Sequence, residues 1–368
     1  VIILYSIIFA LYAQLTIIFK YSQNIIKFNI LVTFVPLIFL FLIAFSSAIQ
    51  IFLSVELIII FHIISLLISI LFFLLPAIKI VGFSFSIYKK SDLLWDFRYG
   101  LPVLATAILE IIINISDRFI IAAFMKPADV AYYSVAFTIC SLLLIFPRLF
   151  SHSLEPRLMY LKDKMDLNSI KELVEDSIFL FYFFGIPITL GSYLYGNKAI
   201  SIVLGESFSS NVGFVLPLLM VGCLFYGLAI IISMIYFAFI KTKALMIFNT
   251  TAAVSNLFIN ILVFSFFESI YVAAISSIIS YFILLALLSI NLKKIITIKI
   301  INNELVKNLI AAIFTSFICV KRFDPAILYI DNDLFEILVS IIIFIIIYCF
   351  FNLLFKSKVI SLIKNAYN

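Results

Sequence analysis

The chain has 368 residues, 65% of them hydrophobic and 12% charged, with a mean hydropathy of +1.27. Its length alone would suggest two or three soluble domains, but a soluble domain carries about 25% charged residues, so that class is excluded. The formal charge of +6 does not point to a nucleic-acid partner, because its placement along the chain has another explanation.

Apolar stretches of membrane-spanning length follow one another at 1–19, 29–49, 52–78, 98–124, 129–150, 176–196, 213–240, 244–266, 269–291, 306–320 and 334–355. Most approach or exceed the ~20 residues needed to cross about 30 Å of hydrocarbon. They are expected to be helices, because a lipid-exposed backbone must satisfy its own hydrogen bonds and the alternating strands of a barrel are absent. The fold class is therefore all-α, a polytopic helical membrane protein. The longest polar stretch, Ser151 to Asp176, reads as one amphipathic helix. Gly196 to Asn211 reads as the largest outer loop. Cys140, Cys223, Cys319 and Cys349 stand alone in apolar runs without CxxC spacing and suggest no metal site.

Charges between the spans set the expected topology. Alternate loops and ends hold twenty of the 25 Lys and Arg residues, among them Lys20, Arg98, Lys164, Lys241, Lys294 and Lys358. The opposite set holds only Lys126, Lys198, Lys321 and Arg322, with Arg118 inside a span. This is the positive-inside pattern. It places Val1 outside and Asn368, at the C-terminus, in the cytoplasm. The chain opens inside an apolar span, with no start Met and no signal-like segment. A faint repeat has a matching rhythm: Lys20, Phe28-Asn29 and a span near Ile51, then Lys241, Phe248-Asn249 and a span near Ser269. If spans one to three repeat spans seven to nine, three helices are expected to precede Val1.

The span from 98 to 124 carries Glu110, Asp117 and Arg118. Each charge costs roughly 2.5–3.5 kcal/mol at the centre of a membrane helix on insertion scales. Such groups persist mainly where they face protein or a water-filled path. With Glu110 at zero on a helical wheel, Asn114, Asp117 and Arg118 fall at about 40°, −20° and 80°. Tyr99 and Thr106 join this polar stripe, and Ile112, Ile115 and Phe119 cover the opposite face. Tyr99-Gly100-Leu101-Pro102 reads as the helix start. Glu110 or Asp117 could exchange a proton or cation, and Arg118 could bind an anionic group of a cargo. Alternatively, Asp117 and Arg118 pair with neighbouring helices and lock packing. A direct bond between those two is disfavoured, since adjacent residues do not face each other on a helix.

Asn249, Asn256 and Asn260 form a second stripe, on 244–266, and are expected to bond across helix contacts. Glu56 and His62 lie about 120° apart on their helix and make no metal-spaced pair, so His62 reads as an interior or interface residue. His152 is expected in a loop. No GxxxxGK[ST] segment occurs, so the chain is not expected to hydrolyse ATP. No cofactor is implied.

Several segments resemble polysaccharide flippases, the O-antigen (Wzx-type) translocases of a superfamily that also holds MATE-type multidrug exporters and lipid II flippases. Asp96-Phe97-Arg98-Tyr99-Gly100-Leu101-Pro102 and Ser116-Asp117-Arg118-Phe119-Ile120-Ile121 resemble the two ends of the family's seventh helix. Asp129-Val130-Ala131-Tyr132-Tyr133-Ser134-Val135-Ala136 resembles its next turn and helix, and Glu155-Pro156-Arg157-Leu158 the cytoplasmic segment after it. Asn256-Leu257-Phe258-Ile259-Asn260 and Ala273-Ala274-Ile275-Ser276-Ser277 resemble its later paired helices. The likeness covers about 96–291.

The resemblance implies two pseudo-symmetric six-helix lobes around a central cavity, with two added C-terminal helices. Residues 1–96 would be the latter half of a first lobe, 97–294 the second lobe, and 295–368 the added pair and a cytoplasmic tail. It further implies export of a lipid-linked oligosaccharide, carried on undecaprenyl diphosphate, across the bacterial cytoplasmic (inner) membrane. The candidate substrate-binding or coupling residues are Glu110, Asn114, Asp117, Arg118, Asn256 and Asn260. A MATE-like exporter of cationic drugs would use the same carboxylates. A membrane polymerase or ligase would need a large polar outer loop, which the sequence does not offer, so the chain is not expected to be an enzyme.

Overall fold

The computed structural model describes residues 2–22, 24–50, 54–82, 90–322, 333–355 and 357–358. Val1, the first residues of the third expected span, Lys89, Lys356 and the tail from 359 lie outside the described residues. Among those described, the regular structure is helical: α1 Ile2–Tyr21, α2 Ile25–Ala48, α3 Val55–Val81, α4 Lys90–Phe124, α5 Pro127–Ser141, α6 Ile145–Asp163, α7 Leu167–Leu204, α8 Glu206–Val212, α9 Val215–Ala238, α10 Thr242–Phe264, α11 Ile270–Leu292, α12 Asn303–Arg322 and α13 Asp333–Leu354. Ten described stretches are long and apolar enough to cross a membrane. Helix α4 stands apart from these ten: it has 35 residues, but also charges along its length. The protein is a multi-pass, all-α membrane protein.

The chain divides into two compact units, 1–92 and 93–368. In the first, α1, α2 and α3 each pack on the other two. Two small apolar clusters hold them, one of Ile8, Val35, Ile63 and Leu66, the other of Leu15, Phe19, Leu31 and Ala77. His62 sits between the rings of Tyr5 and Phe39, with centroids 5.6 and 5.3 Å away. The second unit is built around α9, whose buried face runs from Val215 to Ala238. Helices α5, α6, α7 and α11 pack against it. Glycine permits the closest approach. A Cβ on Gly185 would meet Leu224, and one on Gly227 would strike the Phe181 ring, so each glycine makes room for a side chain of the facing helix.

Several helix limits differ from the sequence reading. Pro102 does not begin α4; the helix starts at Lys90 with Pro102 inside it. The residues from 90 to 98 contain neither Gly nor Pro and are compatible with a helix, and an interior proline is tolerated in membrane helices. The stretch Ser151 to Asp176 is not one amphipathic helix. It is shared between the end of α6 and the start of α7, with a turn in which Met165 has φ 58°. Asp166 caps α7, accepting from Ser169 N at 3.0 Å and from its hydroxyl at 2.6 Å. The Ser169 hydroxyl holds the Asp166 carboxyl below its usual range. His152, expected in a loop, falls within α6. The expected outer loop from Gly196 is helical to Leu204. It then turns at Gly205, whose φ of 93° favours glycine, into the short α8. Between α5 and α6 a 3₁₀ turn, Leu142–Leu144, precedes Pro147, which lacks the N–H that would continue the α ladder.

Helix α13 is fastened to α7 at both ends, and α12 joins them at one. At one end Lys198 pairs with Glu336 at 2.5 Å and Asp333 at 3.5 Å. At the other, Lys358 pairs with Asp176, and Glu304 binds Lys307 Nζ at 2.6 Å and accepts from Lys358 N at 2.8 Å. Between the ends, Tyr348 donates to the Phe183 carbonyl at 3.0 Å. That carbonyl would have bonded to residue 187, which is Pro187, so α13 supplies the donor that α7 lacks.

Candidate functional site on a charged helix

From Thr106 to Arg118 the polar stripe of α4 faces the interior of the second unit, and its members turn to different neighbours. Asp117 is fully buried. Its Oδ2 accepts from the hydroxyls of Tyr133 on α5 and Ser277 on α11, both at 2.5 Å. Its Oδ1 accepts from Asn260 Nδ2 on α10 at 2.7 Å. Four helices thus converge on one carboxyl group, and none of the three donors is a cation.

A second layer of bonds orients those donors. Ser276 donates to Asn260 Oδ1 at 2.6 Å. Asn260 Nδ2 also reaches Asn256 Oδ1 at 3.3 Å, and Ser116 donates to that same oxygen at 3.0 Å. Asn256 and Asn260 stand four residues apart on one face of α10, which is why they share a cluster. Both are fully buried. Asn256 Nδ2 has no protein partner, although it lies in this cluster. Asn249, on the same stripe seven residues earlier, donates instead to the Leu245 carbonyl of its own helix at 3.0 Å.

Asn114 belongs to a separate group one turn along α4. Its Oδ1 accepts from Tyr281 at 2.8 Å, and its Nδ2 donates to the Glu110 carbonyl at 2.8 Å and toward the Tyr226 hydroxyl at 3.4 Å. The rings of Tyr226 and Tyr281 stack with centroids 4.7 Å apart. Tyr281 lies this close to α9 because Gly222 has no side chain; a Cβ there would stand 3.3 Å from the ring. Glu110 is partly buried, and Arg148 on α6 is the cation whose charge acts on it.

Arg118 turns away from Asp117 and lies along α5. Its Nε donates to Ser134 at 3.1 Å, its Nη1 to the Asn114 carbonyl at 3.0 Å, and its guanidinium sits 4.7 Å from the Phe137 ring centroid. These contacts fix the plane of the guanidinium and use only part of its donor set. Ile112, Ile115 and Phe119 are exposed, Phe119 by 73%, as the wheel requires.

Of the six residues expected at the site, Asp117, Asn256 and Asn260 come together in one cluster. Asn114, Arg118 and Glu110 occupy neighbouring positions. Tyr133, Ser134, Ser276 and Ser277 entered the sequence reading only as members of family-like segments, with no role at the site, and Tyr226, Tyr281 and Arg148 were not named as site residues. Hydroxyl side chains are common in membrane helices, where many bond their own backbone as Thr106 does to Pro102, so type and spacing carried no signal. Arg148 counted only as a topological charge. Among the described residues no group of His, Cys, Asp or Glu could hold a metal ion.

The family model described as "Polysaccharide biosynthesis protein" matches residues 1–213. A candidate O-antigen transporter of Shigella flexneri is 30% identical over 197 residues, covering 54% of this chain and 44% of that protein. The chain thus matches less than half the length of that relative. Among solved structures, the lipid II flippase MurJ in an inward closed conformation aligns with a TM-score of 0.63 at 19% identity. That alignment covers 96% of this chain and 72% of MurJ, and it establishes likeness of fold.

Proposed function

Because this chain belongs to the polysaccharide biosynthesis protein family, we propose that it acts in moving a lipid-linked oligosaccharide across the bacterial cytoplasmic membrane. The cargo class would be a glycan on an undecaprenyl-diphosphate carrier. The sugar and the diphosphate cannot enter hydrocarbon unaided, and a transporter meets that need with a polar path opened alternately to the two sides. In this reading residues 1–96 and 97–294 belong to two lobes, 295–368 is an added helix pair with a cytoplasmic tail, and the chain carries no catalytic centre. The name of the Shigella relative supports the cargo class, and the fold shared with MurJ supports the architecture.

The observation that carries the reading is that Glu110, Asp117 and Arg118 sit on one helix, α4, yet differ in surroundings. Arg118 keeps unused donors that suit a phosphate. Asp117 is held by neutral donors from three other helices, so uptake of a proton or cation there would rearrange bonds to all of them. Glu110 is the second coupling carboxylate. Asn114, Asn256 and Asn260 set the geometry around these groups. The full burial of Asp117 favours a second reading, in which the cluster only locks helix packing.

One experiment separates the two. Surface glycan per molecule of protein is measured in cells that make the transporter. Under the transport reading, Arg118→Ala and Glu110→Gln lower export strongly at unchanged abundance, while Arg118→Lys retains part of the activity. Under the packing reading, variants of Asp117 or Arg118 lose abundance instead. Normal export per molecule in both Arg118→Ala and Glu110→Gln overturns the transport assignment of the stripe.

A further inference from the structure

Helix α4 is 35 residues long, about 52 Å at ~1.5 Å per residue, whereas the hydrocarbon layer is about 30 Å thick. Roughly 20 Å of the helix therefore stands outside hydrocarbon if it spans the bilayer. Its N-terminal part is the candidate: Lys90, Asp92, Asp96 and Arg98 are four charges within nine residues. Yet Leu94, Trp95 and Phe97 in the same turns are 61%, 56% and 58% exposed. Trp95 and Tyr99 lie one turn apart and stack face to face, with centroids 5.7 Å apart and planes 2° from parallel. Water does not favour such an apolar display, and hydrocarbon does not favour four charges. The headgroup layer accepts both, and amphipathic aromatic rings collect there.

We propose that the Trp95–Tyr99 stack is an anchoring surface for the phospholipid headgroup layer and fixes the depth of α4. The inference rests on α4 crossing the bilayer, as the proposed function requires. It places Glu110 about 22 Å and Arg118 about 35 Å along the helix from the anchor. The segment from Glu110 to Arg118 would then run from the middle of the membrane to its far boundary. The flanking Arg98 suits the anionic lipids of the cytoplasmic leaflet.

Trp95 is the one tryptophan in the chain, so intrinsic tryptophan fluorescence reports this residue alone. The purified chain is reconstituted into vesicles of phosphatidylcholine and phosphatidylglycerol. The phosphatidylcholine carries bromine either near the top of the acyl chain or near its end. Shallow bromines are expected to quench at least about twofold more than deep ones, as for an interfacial indole, with little quenching by aqueous iodide. Full quenching by iodide without quenching by bromine overturns the proposal and places Trp95 in water. Stronger quenching by deep bromines overturns it by placing Trp95 in hydrocarbon. A spectral shift on adding a soluble oligosaccharide, without bromine quenching, also overturns it and makes the stack a sugar contact. The measurement needs no transport, so its failure leaves the export assay standing, and failure of that assay leaves this one interpretable.

Discussion

At the scale of single residues, the Tyr133 hydroxyl is the most informative group to remove. Hydrogen bonds between membrane helices average about 0.6 kcal/mol and reach about 1.7, and losing a bond to a fully buried group lies at the upper end because the partner is left short of a donor. Tyr133→Phe is therefore expected to destabilise the second unit by about 1.5 kcal/mol, read as a lower unfolding midpoint in a denaturing-detergent titration. Thr138→Ala is the control: its hydroxyl bonds the Ser134 carbonyl of its own helix at 2.8 Å and is exposed, so its loss should move the midpoint little. An equal midpoint for Tyr133→Phe and the parent would show that the bond to Asp117 contributes nothing. The sequence indicated that Asp117 needs partners, because a charge inside a span demands an explanation. It could not indicate which residues those are, because Ser277 lies 160 residues away and meets Asp117 only in the folded chain.

At the scale of the helix, Pro187 and Tyr348 form a testable pair. Proline leaves the Phe183 carbonyl without its helical donor, and Tyr348 supplies one from α13. Tyr348→Phe alone should cost about 1 kcal/mol, the usual worth of one hydrogen bond. In a Pro187→Ala background the restored Ala N–H can serve that carbonyl, so the same substitution should cost clearly less. A double-mutant cycle on the unfolding midpoint measures the difference; a coupling of zero would mean that the tyrosine does not stand in for the missing donor. Most helix existence was legible because long apolar runs have only one solution in lipid. The span 306–320 became Asn303–Arg322, and 213–240 became Val215–Ala238. The start of α4 was misplaced because proline marks a first turn in water but is an ordinary interior residue among membrane helices. The division of Ser151 to Asp176 depends on a turn at Lys164-Met165-Asp166, which contains neither Gly nor Pro to announce it.

At the scale of the whole molecule, the charge division between alternate loops makes the orientation measurable. In a variant lacking the native cysteines, single cysteines at Lys164 and Lys294 should be shielded from an impermeant thiol reagent in intact cells, and one at Lys198 should label. Labelling at Lys164 with protection at Lys198 would invert the topology. The helix ends already agree among themselves, since Lys198 meets the first turn of α13 whereas Asp176 meets Lys358, four residues beyond its last turn. The convergence of four helices on Asp117 also has a consequence for biogenesis. A ribosome delivers roughly 5–20 residues each second. Tyr133 follows Asp117 by 16 residues, but Asn260 follows by 143 and Ser277 by 160. The carboxyl group therefore waits on the order of ten seconds or more in or beside the insertion machinery with a single tyrosine as its companion. During that interval two of the three bonds to Asp117 cannot form, and they become available only when the tenth and eleventh helices emerge.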